Sequence, residues 1–222
     1  MRHRFTQVMT VLVALRFSFL APLVLGFSSM HAAGTILFDN LSAGSPNGSL
    51  GVGNTQWVAQ SFSTTNESFI LSNIRLRLWN QNGTSGNFEI QVWDVLGTSG
   101  SPGSQVGTTI YTGLAQNLSS EYGGLLEASG LSVTLAPNTD YYLVAKGTTL
   151  VDIPDFEGDL PGSLSWDATD INTSATYVAT GSGWNGPYGQ DMYMKVTAVP
   201  EPTTYGLVLC SISLAALRRR KA

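Results

Sequence analysis

The chain has 222 residues, a formal net charge of −4 and one cysteine, with 12% charged and 43% hydrophobic residues. That balance excludes a disulfide-stapled miniprotein and argues against a nucleic-acid binder, which needs a basic face. The length suits one domain with accessory ends.

Met1 to Arg16 carries Arg2, Arg4 and Arg16, and Phe17 to Phe27 is an apolar run of eleven residues followed by the small residues of Ser28 to Ala33. This is the layout of a secretory signal peptide, residues 1–33, with cleavage expected after Ala32 or Ala33. Arg16 interrupts what would otherwise be a membrane span of roughly twenty residues, which argues against an uncleaved anchor. Residues 34–198 keep four cations against fourteen carboxylates, a formal charge of −10. The body of the protein is therefore read as a soluble acidic domain with no affinity for nucleic acid or an anionic membrane surface.

From Gly34 onward short alternating runs are punctuated by Gly, Asn, Ser and Pro, the texture of antiparallel sheet. Thr35 to Asp39 reads as the first strand and Asn40 to Asn54 as a loop. Gln56 to Ser63 is the second strand, with Trp57, Ala59 and Ser61 on one side and Val58, Gln60 and Phe62 on the other. Ile74, Leu76 and Leu78 alternate with Arg75, Arg77 and Trp79; Phe88, Ile90 and Val92 alternate with Glu89, Gln91 and Trp93. Paired as a hairpin, these runs set Leu78 opposite Phe88, Leu76 opposite Ile90 and Ile74 opposite Val92, and Arg77 opposite Glu89 on the other face. Gln105 to Tyr111 and Leu131 to Leu135 read as strands, with residues 112–130 less legible. The turn Ala136 to Thr139 leads into a central strand, Asp140 to Ala145. Ser163 to Asp167 and Ala175 to Thr180 read as short strands. Gly181 to Gly189 reads as a glycine-rich loop displaying Trp184 and Tyr188, and Asp191 to Val196 closes the body with Met192, Met194 and Val196 facing in.

The segment Val133 to Val144, downstream of Trp57 to Phe62, resembles the bacterial choice-of-anchor exported domains. The resemblance implies a β-sandwich at a cell surface and brings no catalytic residue. The expected fold is all-β, an antiparallel β-sandwich of jelly-roll-like form over residues 34–198, flanked by a signal helix and a short C-terminal transmembrane helix.

The chemistry of the body is bounded by what it lacks. Both histidines, His3 and His31, lie in the leader and the one cysteine, Cys210, in the tail. Ser-His-Asp and Cys-His catalysis and the usual zinc site are thereby excluded from residues 34–198, and no enzyme is expected. Carboxylate-only chemistry, as in a carbohydrate-active enzyme with paired acids, is the surviving alternative. Asp152, Asp155, Glu157 and Asp159 place four carboxylates in eight residues. They offer the oxygen ligands that calcium takes, but without the regular spacing of a calcium loop, so a solvated acidic loop is the plainer reading and no cofactor is required. Trp184 and Tyr188, with Trp79 and Trp93 on the expected outer face, could stack on sugar rings; the alternative is packing against a covering loop or a second sheet.

The last residues, 199–222, form a tail. Val199-Pro200-Glu201-Pro202 is followed by an uncharged run, Thr203 to Leu217, and by Arg218, Arg219, Arg220 and Lys221. The two prolines favour extended backbone, with a helix free to start at Pro202. Fifteen helical residues rise about 22 Å against a hydrocarbon core of about 30 Å, a marginal span. The terminal cations orient it with its end in the cytoplasm and the body on the far side. The order Pro-Glu-Pro, short apolar helix, Arg-rich end is similar to the PEP-CTERM sorting tail of Gram-negative bacteria. That resemblance implies processing by a membrane-embedded exosortase near Pro200, Glu201 and Pro202. The route is then an inner-membrane intermediate, followed by delivery to the surface or extracellular matrix. The function expected is a structural or adhesive surface component linked to exopolysaccharide, with a carbohydrate-binding module as the alternative.

Overall fold

Alternating apolar and polar side chains give a strand one face to bury and one to leave in water. The computed structural model shows this alternation satisfied by an all-β, sandwich-like arrangement of antiparallel sheets. It describes residues 34–43, 48–80, 83–96, 100–151, 164–169, 174–180 and 183–201. In chain order the strands are Thr35–Asp39 (β1), Ser49–Val52 (β2), Gln56–Ser63 (β3), Phe69–Leu76 (β4), Leu78–Trp79 (β5), Asn87–Val95 (β6), Pro102–Gln105 (β7) and Tyr111–Leu114 (β8). They continue with Leu126–Leu135 (β9), Asp140–Gly147 (β10), Leu164–Thr169 (β11), Thr176–Thr180 (β12), Trp184–Tyr188 (β13), Asp191–Met192 (β14) and Met194–Pro200 (β15).

One sheet has the order β1-β15-β4-β9, and a second, of seven strands, runs β13-β12-β3-β10-β6-β7 with β8 also on β6. A third joins β14, β11 and β2, with β5 on β11. Ile74, Leu76 and Val196 of the first sheet, Val58, Phe62, Phe88, Ile90, Val92 and Leu143 of the second, and Leu164, Trp166 and Met192 of the third share one buried cluster. The third sheet continues the first. β5 and β14 prolong β4 and β15 past Arg77 and Tyr193, and β11 changes neighbour from one to the other at Asp167. Three backbone hydrogen bonds close that junction: Arg77 N–H to Tyr193 O (3.1 Å), Tyr193 N–H to Asp167 O (3.0 Å) and Asp167 N–H to Arg77 O (3.0 Å).

The expected hairpin does not form. β4 pairs with β9 and β15, whereas β6 pairs with β7, β8 and β10. Leu76, Leu78, Phe88 and Ile90 are all fully buried in one core cluster, to which they are contributed by different sheets instead of by neighbouring strands. An alternating pattern names the face a residue buries and leaves its strand partner open. The Arg77–Glu89 pairing fails for the same reason. Glu89 instead faces Lys146 on β10 (Oε2 to Nζ 3.4 Å), and Arg77 donates to Leu41 O (2.8 Å) with its guanidinium over the Tyr193 ring (4.3 Å).

Other segments also differ from expectation. The segment 40–54 contains β2, and residues 105–111 supply only the last residue of β7 and the first of β8, with an irregular connection between. Gly181 to Gly189 is not a loop throughout, since Trp184–Tyr188 is an edge strand on β12. Three ion pairs join directly opposed residues: Arg75–Glu127 (3.0 Å), Lys195–Asp39 (2.8 Å) and Lys146–Glu89. Such half-exposed pairs are worth about 0.2–1 kcal/mol each, so they hold register more than stability.

Candidate functional site

The outward face of the seven-stranded sheet carries an aromatic cluster. Trp57 on β3 and Trp93 on β6 stand next to the core residues Val58 and Val92, Trp184 begins the edge strand β13, and all three indoles are half-buried. The row between them holds Ala59, opposite Val144 and Tyr177. Indoles from flanking rows lean together over that row, with centroids 6.1 Å apart for Trp57 and Trp93, 6.4 Å for Trp57 and Trp184 and 5.8 Å for Trp93 and Trp184. All three contacts are edge-to-face, with interplanar angles of 67°, 62° and 80°, the geometry that the ring quadrupole favours.

A polar chain borders the indoles. Trp93 Nε1 donates to Gln91 Oε1 (2.9 Å), Gln91 Nε2 donates to Glu89 Oε2 (2.7 Å), and Thr109 Oγ1 donates to the same oxygen (3.2 Å). Glu89 pairs with Lys146, whose ammonium sits 5.1 Å from the centroid of Trp57. Gln91 is itself buried and braces Trp93 and Glu89, so the carboxylate of Glu89 and the ammonium of Lys146 are the groups that can hydrogen-bond a ligand's hydroxyls while its C–H face rests on an indole. Tyr142 and Tyr177 pack under the cluster, edge to face at 5.7 Å. The Tyr142 hydroxyl donates to Gly100 O, and burial, then Tyr177 and Asp140, push its pKa up to about 12, so it stays a neutral donor at physiological pH.

Of the aromatic residues singled out from sequence, the structure brings Trp93 and Trp184 together and separates the other two. Tyr188 pairs with Thr176, whereas Trp184 pairs with Ala179, and the register shifts between Thr176 and Val178. Directly opposed residues share a face, so Tyr188 lies on the side opposite the indoles, 41% exposed. Trp79 is buried, 6% exposed, with its Nε1 donating to Asp167 Oδ1 (2.8 Å). It packs against Tyr122 at 5.3 Å and belongs to the strand junction.

Sequence reasoning placed Trp57 on the correct face without assigning it a role, and did not connect Gln91, Glu89 and Lys146 to the aromatics. Only the β3-β10-β6 pairing unites them. The acidic group Asp152, Asp155, Glu157 and Asp159, together with Pro202 and Arg218, Arg219, Arg220 and Lys221, lies outside the described residues. Among the described residues no group of three or more His, Cys, Asp or Glu is placed to hold a metal ion, and no helix is long and apolar enough to cross a membrane. Pro200 ends β15 opposite Phe69, and Glu201 N–H donates to Ser68 O (2.9 Å).

No family model and no curated protein matches this sequence. Among solved structures, the protease and lectin-like domains of a surface-layer-associated cysteine protease of Clostridium difficile are similar at 15% identity. The TM-score is 0.47, over 67% of this chain and 32% of that one. A second structure of that protease, after propeptide cleavage, matches at 14% identity and a TM-score of 0.48, over 71% of this chain and 38% of the other. A CocE/NonD family hydrolase from Staphylococcus aureus matches at 12% identity and a TM-score of 0.35, over 78% and 38%. The chain thus spans about a third of the length of these proteins.

Proposed function

We propose that the protein is an exported surface component whose β-sandwich adheres to polysaccharide through the Trp57–Trp93–Trp184 face. The observation that carries this reading is the three-indole cluster on the outward side of the sheet, bordered by the half-buried Lys146–Glu89 pair, with the buried Gln91 bracing Trp93 and Glu89. The indoles stabilise one another edge to face, and their half-exposed surfaces leave apolar area on which a sugar ring can rest. The absence of histidine and cysteine from residues 34–201 favours binding over nucleophilic catalysis.

Pull-down on neutral and acidic exopolysaccharides tests it. Trp57→Ala is expected to weaken retention at least tenfold, about 1.4 kcal/mol, and, because two edge-to-face contacts are lost, also to lower the melting temperature, so retention is compared at a temperature where both proteins are folded. Equal retention of wild type and Trp57→Ala would leave the adhesive reading without support.

Delivery is proposed to follow from the ends of the chain: a cleaved leader, then a short C-terminal membrane helix oriented by Arg218 to Lys221 and processed by an exosortase-type enzyme. Pro200 and Glu201 are held against the start of β4, so a processing enzyme can grip the chain only beyond them. Intact-mass analysis of the released protein is expected to give a C-terminus at or after Glu201 and before Arg218. A full-length C-terminus ending at Ala222 would overturn the sorting reading.

A further inference from the structure

At the strand junction a cleft of about 470 Å³ is lined by Leu41, Arg77, Tyr122, Gly123 and Leu125. Of the four cations in residues 34–201, three are in ion pairs with directly opposed carboxylates. Arg77 makes no ion pair among the described residues. One of its nitrogens donates to Leu41 O, and the guanidinium is stacked on Tyr193, which fixes its plane. Asp167 lies close enough for the two charges to act on each other, but no ion pair joins them among the described residues. Its Oδ1 accepts from Trp79, and its Oδ2 is buried with no hydrogen-bond partner among the described residues. A Cβ on Gly123, at φ +79°, would stand 4.0 Å from that oxygen. The carboxylate is thus sealed beneath the cleft, while the guanidinium lines it.

An oriented guanidinium with unused N–H donors is the side chain suited to a planar carboxylate. Around it, Tyr122 (57% exposed), Leu125 (49% exposed) and Leu41 offer apolar surface that a hydrated inorganic anion would not use. We infer that this cleft binds a carboxylate carried on a ring, with Arg77 holding the carboxylate and Tyr122 and Leu125 flanking the ring. The form that fits the polysaccharide reading, on which this choice of carrier rests, is a uronate residue of an acidic polysaccharide. The cleft and the indole face are separate sites, built from different sheets.

Calorimetric titration of the purified exported protein with glucuronate, and with glucose as the neutral counterpart, tests the assignment. Saturable binding of glucuronate, at least tenfold tighter than glucose, is expected. Arg77→Lys, which keeps the charge and loses the fork, should weaken it at least tenfold. Tyr122→Ala, which removes a half-exposed ring that also packs on Trp79, should weaken it severalfold, with a melting curve confirming that the variant is folded at the assay temperature. Trp57→Ala should leave it unchanged, which separates failure of this cleft from failure of the indole face. Absent glucuronate binding, equal affinity for glucose, or an affinity unmoved in both Arg77→Lys and Tyr122→Ala would overturn the inference.

Discussion

Replacing Trp166 with alanine is expected to destabilise the domain by about 3–5 kcal/mol, the range for removing a large aromatic from a packed core. Trp166 is the largest of the fully buried side chains and sits in the middle of β11, opposite Leu50 on one neighbour and Leu78 on the other. Its indole Nε1 donates to Tyr193 O (3.1 Å), so truncation opens a cavity and leaves that carbonyl without its side-chain donor. Against a total stability of about 5–15 kcal/mol, such a loss brings many domains near unfolding at ordinary temperature. Urea melts at fixed temperature measure it as a drop in midpoint with unchanged slope. Trp166→Phe keeps most of the volume and loses the hydrogen bond, so a drop of about 1–2 kcal/mol is expected. A shift below 1 kcal/mol for Trp166→Ala would mean that the third sheet does not close over the core as described.

The contrast between β4 and β6 shows which part of this fold is readable from its residues. Ile74, Leu76, Phe88 and Ile90 announce buried faces because a strand repeats every two residues, and all four are buried. Which strand lies beside which is decided by long connections, and nothing in a two-residue repeat encodes them. β10 could be read as central because Tyr142, Leu143, Val144 and Ala145 are apolar on both faces, as a strand flanked by β3 and β6 and covered on both sides must be. β2 could not, since Ser49–Val52 carries little apolar pattern and is fixed by pairing with β11.

The candidate sites follow the same division. Trp93 and Trp184 stand out in any sequence, yet what gives them a shared face is register: Trp93 lies opposite Tyr142, and Trp184 opposite Ala179, which in turn lies opposite Trp57. Tyr188 escapes the group through a register shift that only the paired structure displays. Arg77 read as half of an ion pair. In the fold it stands where β4 gives way to β5, away from the opposed positions that pair the other three cations of residues 34–201.

Gln60→Leu, although close to volume-conserving, is expected to cost about 2–4 kcal/mol, because this buried amide joins two sheets through bonds that leucine cannot make. Gln60 is fully buried on the core side of β3. Its Oε1 accepts from Thr176 Oγ1 on β12 (2.5 Å) and from Met192 N on β14 (2.6 Å), and its Nε2 donates to Ser174 Oγ (2.5 Å). Leucine orphans the Met192 N–H in an apolar interior at a cost of about 1–3 kcal/mol, and the two further bonds lost add about 0.5–1.5 kcal/mol each. Partial recovery is built in, which is why the estimate stops near 4. Thr176 Oγ1 can turn to Gln190 O (2.7 Å), and Ser174 Oγ keeps Asp191 Oδ1 (2.9 Å). A double-mutant cycle with Thr176→Val therefore separates the shares. The two substitutions are expected to be less than additive, since each removes the Gln60–Thr176 bond, while the Met192 penalty appears only in the variants that lack Gln60. Strict additivity in urea melts would show that Gln60 and Thr176 do not act through one shared bond, and a Gln60→Leu protein as stable as wild type would remove the tie between the seven-stranded sheet and β14.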